Sequence, residues 1–223
     1  MRPIALALGL CLSARGADLR TVGTRWVVAE PGVTLRASPA GEAIALVPYG
    51  EMLTAAVTDD ALPDTYEGHR GHWVQISYGL ERGWVFDAWL LPMPAPPEPC
   101  ASIPAWAAEW TPAGAAFVEV RSTRPGDSRR SQSYEGGMSL MVELGGGELW
   151  LPGLTLPQAW AGARRCAPGL AGRTRPGWPP SLEGEGLTLR VEARRLRVAP
   201  ATGGAPLLTL EVLEGGVRVG WRG

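Results

Sequence analysis

The side chains able to do chemistry are few, and their spacing says what they could do. The two histidines, His69 and His72, are separated by Arg70 and Gly71. A zinc site wants three or four ligands, and no cysteine or carboxylate cluster lies at motif spacing around the pair, so both read as solvated loop histidines and no metal is expected. Cys100 or Cys166 could serve as a nucleophile only beside a base, and both histidines lie in a different part of the chain. Glu183 and Glu185 could be imagined as a glycosidase pair, but in a strand they share one face at a turn-rich entry, where solvation is the simpler reading. There is no G-x-S-x-G elbow, no phosphate-binding loop and no dinucleotide-binding turn. Nucleophile, base and orienter are never assembled together, so the chain is expected to be no enzyme and to need no cofactor.

The aromatic residues are the richer vein, with ten Trp, four Tyr and two Phe. Trp and Tyr give flat platforms with a polar tip, which suits sugar rings and peptide segments. Along residues 73–78, Val74, Ile76 and Tyr78 share one face of a strand, and Trp73, Gln75 and Ser77 share the other. Tyr49, Tyr66 and Trp89 sit near turns or element ends and are the expected ligand-binding residues.

Those aromatics belong to a stretch, residues 32–91, that reads as a small, strongly bent β-barrel. Val33 and Leu35, then Ile44 and Leu46, recur at period two, and Ser38-Pro39 and Pro48-Tyr49-Gly50 punctuate the runs as turns. The order of Gly32, Leu35, Arg36 and Pro39, then Pro48 and Gly50, Trp73 and Ile76, Gly83, Trp84 and Val85, and Trp89 and Leu90 resembles a bacterial SH3-like (SH3b) domain, over residues 24–92. The segment 59–71 is longer than that family's usual connection. The resemblance implies that Trp73, Trp84 and Trp89 mostly build the small core, and that the module recognises cell-wall peptidoglycan or peptide segments. The alternative is an adaptor whose module docks another envelope protein or its own C-terminal domain.

The remaining sequence frames that module. Residues 1–17 have the layout of a secretory signal peptide: a basic start at Arg2, an apolar run over residues 4–12, and small residues at Ala14, Gly16 and Ala17. Cys11 lies in a run similar to a lipobox, but Leu10 occupies a position that needs a small residue. No stretch is apolar for long enough to cross a bilayer as a helix. An exported protein, periplasmic or extracellular, is therefore expected, with Cys100 and Cys166 joined in an oxidising compartment. Residues 93–99 form a Pro-rich extended spacer. Residues 100–223 read as an antiparallel β domain of about six strands, of no recognised family, with one short helix over residues 156–165. Its clearest hairpin flanks Glu214-Gly215-Gly216. The fold class is thus all-β.

Charge adds little discrimination. The 21 basic residues are all Arg, and the net charge is −1. Residues 24–92 carry nine acids against four Arg, and residues 100–223 eleven acids against fourteen Arg. A general polyanion binder is disfavoured, and nucleic acid is not an expected partner.

Overall fold

A computed structural model of the protein describes residues 19–58, 63–113, 118–121, 128–170, 172–175 and 178–222. The expected signal peptide, with Cys11, lies outside the described residues. The chain is all-β, built on two large antiparallel sheets. The first contains β1 (Leu19–Val27), β2 (Gly32–Arg36), β3 (Ala43–Pro48), β4 (Met52–Thr58), β7 (Trp73–Tyr78), β8 (Glu81–Phe86) and β9 (Leu90–Leu91), in the order β3-β2-β8-β7-β4-β1-β9. A separate two-stranded ribbon, β5 (Asp64–Tyr66) and β6 (His69–Gly71), stands beside it.

The apolar alternation places the strand faces. Val74 and Ile76 are buried in one core with Val33, Leu35, Val47, Leu53 and Val85, and Tyr78 packs against its edge. Trp73, from the opposite face of β7, joins Phe86 and Ala88 in a second, aromatic cluster with Tyr66, Trp84 and Trp89 around it. In β3 the period is as read but the inward phase is the other one. Ala45 and Val47 pair with Leu35 and Val33, while Ile44 and Leu46 are exposed. Both phases of Ala-Ile-Ala-Leu-Val are apolar, so the pattern alone does not choose a face, and pairing with β2 decides it.

The second sheet holds eight strands where about six were expected, in the order β10-β11-β12-β13-β17-β16-β15-β14. They are β10 (Val118–Arg121), β11 (Ser128–Ser133), β12 (Ser139–Glu143), β13 (Gly146–Pro152), β14 (Leu187–Glu192), β15 (Arg195–Pro200), β16 (Leu208–Leu213) and β17 (Gly216–Arg222). Two four-stranded meanders meet where β13 pairs with β17. The connection from β13 to β14 carries helix α2 (Leu156–Cys166), close to the helix expected there. Thr155 caps α2 by accepting from the Gln158 backbone N–H, and the Gln158 side chain reaches back to the Thr155 N–H at 2.9 Å, completing a capping box. A five-residue helix, α1 (Ile103–Ala107), was not expected; Ser102 caps it and a Pro occupies its first turn.

Helix α2 buries Leu156, Ala159, Trp160, Ala163 and Cys166 against Leu149, Leu151, Leu208, Leu210, Val217 and Val219 of the sheet. Trp106 of α1 lies against α2 at Gly162, where an added Cβ would come within 2.5 Å of the indole ring. Only glycine allows the two helices to meet this closely. Cys100 and Cys166 form a disulfide, with Cα atoms 5.0 Å apart, that fastens the segment before α1 to the end of α2.

The two sheets are not held apart. Val28, Leu91 and Met93 are buried in the same core as Trp106 and Trp160. The Pro-rich segment is fastened to α1 and to the turn between β3 and β4. Its Pro94 carbonyl accepts from Trp106 Nε1, and its Pro96 carbonyl accepts from the Tyr49 hydroxyl, each at 2.7 Å. The Gln158 amide that caps α2 also donates to the Asp87 and Leu90 carbonyls, at 3.1 and 3.0 Å. One side chain thus closes a helix end and binds it to the other sheet.

Candidate functional site

Between the first sheet and α2 lies a cleft of about 220 Å³ whose walls come from both halves of the chain. Its aromatic residues are Tyr66, Trp73, Phe86, Trp89 and Trp178, and its charged residues are Glu30, Arg36, Glu67 and Arg164.

The β5–β6 ribbon builds one wall. Its turn places Glu67 at φ 51° and Gly68 at φ 79°, the two positive values that a type I′ hairpin requires. The ribbon lies over the aromatic face of β7 and β8. Asp64 accepts from Trp73 Nε1 at 3.0 Å, and the Tyr66 ring meets Trp73 edge to face at 4.9 Å between centroids. The histidines follow from this packing, and the expectation of two solvated residues fails for His69. Its side chain is buried with both ring nitrogens unpartnered, 4.1 Å from the Trp89 ring centroid. Burial lowers its pKa from 6.5, against an opposing pull from the Glu67 charge. His72 stays half-exposed, with its backbone N–H donating to Asp87 at 2.7 Å.

The opposite wall is electrostatic. Arg164 is almost fully buried and bonds to the Glu30 carboxylate and to the Thr174 hydroxyl. Arg165 donates to the same Glu30 oxygen at 2.7 Å. Burial would raise the pKa of Glu30, but hydrogen bonds and charge from Arg165 and Arg164 outweigh it and leave the carboxyl below its ordinary value. A guanidinium this deeply buried is tolerable only with its partner in place, so Glu30 holds the cleft wall together.

The three expected binding residues separate. Tyr66 and Trp89 come together on the cleft, both partly exposed. Tyr49 lies at the junction of the two sheets: its hydroxyl is bonded to Pro96, and the Arg165 guanidinium sits 4.2 Å from its ring centroid. Burial pushes the Tyr49 phenol up to about 12, although the Arg165 charge opposes the rise. The sequence pattern does not point to Arg36, Glu30, Arg164 or Trp178 as site residues. Trp178 falls in a Gly- and Pro-broken loop, and nothing in its neighbours signals that the loop returns to the first sheet.

Elsewhere the candidate chemistry is engaged otherwise. The disulfide leaves neither Cys100 nor Cys166 as a thiol. Glu183 pairs with Arg175 at 2.6 Å on the surface. No group of three or more metal-binding side chains occurs among the described residues, and none of the described helices is long and apolar enough to cross a membrane.

Fold and site together define an all-β protein with an aromatic, charge-lined cleft between two antiparallel sheets. Compared with family models, with characterised proteins and with solved structures, the chain finds no match.

Proposed function

We propose that the protein is an exported, non-catalytic binding protein, and that its N-terminal sheet is an SH3-like module recognising cell-wall peptidoglycan or peptide segments. The observation that carries this reading is the cleft, where partly exposed Tyr66, Trp89 and Trp178 stand beside fixed charges. Flat aromatic faces next to oriented hydrogen-bonding groups suit ligands that are part apolar and part polar, as peptide stems and sugar rings are. The likeness of residues 24–92 to SH3b domains supports the same ligand class. The compartment assigned here is periplasmic or extracellular, in keeping with the disulfide.

The test is co-sedimentation of the full chain with purified sacculi. Removing a central aromatic from a real contact site commonly costs about 2 kcal/mol or more, roughly thirtyfold in affinity. Trp89→Ala and Trp178→Ala should each reduce pelleting on that scale while retaining the wild-type circular dichroism spectrum. Trp178 lies away from the His69 packing, so it remains informative if the Trp89 variant misfolds.

The adaptor reading has its own support. The N-terminal sheet is docked on its own C-terminal half through Glu30, Tyr49 and Gln158. Wild-type chain that fails to pellet would favour that reading.

A further inference from the structure

The charges around the cleft are not equally available. Arg164 and Arg165 both spend their charge on Glu30, and Arg165 also reaches Glu98 at 3.4 Å. Arg36 differs. Its Nη1 donates to the Gly41 carbonyl and its Nη2 to the Tyr66 hydroxyl, each at 2.7 Å. Its guanidinium carbon lies 5.5 Å from the Tyr66 ring centroid. It has no carboxylate partner within ion-pair distance among the described residues. Arg36 is therefore a cation held in place by two neutral oxygens, with part of its five-donor fork unused.

Such an arrangement is costly to assemble for neutral ligands and well matched to anionic ones. A guanidinium fixed by neutral acceptors keeps its full charge and presents a planar fork, which binds a carboxylate through paired hydrogen bonds. The C–H faces of sugar rings would need only the Trp89 and Trp178 faces and no fixed cation. The opposing acid is Glu67, in the turn of the ribbon; its carboxylate engages the same Tyr66 side chain but forms no ion pair with Arg36. Glu30, the other acid of the cleft, is already answered by two guanidiniums.

Resting on the binding function proposed above, we propose that Arg36 is the anion anchor of the cleft, and that the segment it takes is a peptide with a free carboxylate beside an apolar or flat group. The glycan strand is then not the primary determinant.

The experiment is calorimetric titration of the full chain with three probes. These are a soluble muropeptide with free carboxylates, the same muropeptide with its carboxylates amidated, and chitotetraose. The free acid should bind about tenfold or more tightly than the amide, the scale of one charge-assisted hydrogen bond. Arg36→Gln should erase that difference, and Arg36→Lys should restore only part of it, because an ammonium keeps the charge without the fork. Comparison of acid and amide on wild-type protein needs no variant, so a folding defect in Arg36→Gln leaves the test intact. Equal affinity for acid and amide, or binding of chitotetraose alone, overturns the proposal. If sacculi still pellet the chain in that case, only the Arg36 assignment fails. If none of the probes binds and sacculi do not pellet the chain, the binding function falls with it.

Discussion

The molecule uses the same kind of side chain in two opposite ways. In the C-terminal half, Trp106, Trp110, Tyr134 and Trp160 are buried, and Trp106, Trp110 and Tyr134 make a chain of edge-to-face contacts at 5.0 and 5.2 Å. At the cleft, Tyr66, Trp89 and Trp178 keep part of their surface open and stand next to charge. Trp106 and Trp160 are carried by α1 and α2 and turn into the core that also holds Trp110 and Tyr134. The second lies where a ribbon and a loop approach each other without closing. Trp content alone therefore says nothing of function. What separates the two groups is whether the ring is packed on every side.

The comparison breaks most easily at the core. Trp160 is nearly inaccessible between α2 and the second sheet. Trp160→Ala should cost about 3–5 kcal/mol of stability, from lost transfer energy and the cavity left behind. Trp178→Ala should cost less, about 1–2 kcal/mol, because the ring packs against the core from a loop but stays partly exposed. Urea denaturation of the two variants checks both, and equal losses would show that Trp178 is a core residue after all.

The disulfide sharpens the contrast from the covalent side. It joins residues 66 apart in sequence, and in the chain-entropy model closure of a loop that long stabilises by about 4 kcal/mol. Replacing both cysteines with serine should lower the midpoint of thermal unfolding. The bond anchors the end of α2, and α2 carries Arg164 at the cleft, so ligand affinity should fall as well. A stability loss with unchanged affinity would mean that the cleft is shaped by the Glu30 ion pairs alone.

How much of this was legible follows the same physical division. The hairpins β12–β13 and β16–β17 declare themselves through apolar alternation on each side of a Gly-containing turn. The tryptophan and aliphatic faces of residues 73–78 also fall as the period requires. β11 was invisible because Ser-Arg-Arg-Ser-Gln-Ser has no apolar period; it is a strand because β10 and β12 pair with both its edges. The ribbon that buries His69 was hidden for a related reason, since Glu67-Gly68 is a weak turn signal between two three-residue strands. The cleft itself was not readable. Its central ion pair joins Glu30 to Arg164, 134 residues away, and nothing local to either residue encodes that meeting.

His69 offers the smallest effect and the most direct check on the ribbon. Because its folded pKa is lowered, the unfolded chain binds the proton more readily than the native one. The native state therefore keeps its full advantage above about pH 6.5 and loses it progressively as pH falls through the lowered value. Glu30, whose protonation also destabilises the fold, titrates lower still, below its ordinary carboxylate value. His69→Phe keeps a ring against Trp89 and has nothing to protonate. Wild-type stability, measured by denaturation at pH 7.5 and pH 5.5, should drop between the two values, and the Phe variant should lose less. Parallel losses in both proteins would mean that His69 reaches solvent and that the ribbon does not stay closed over Trp89.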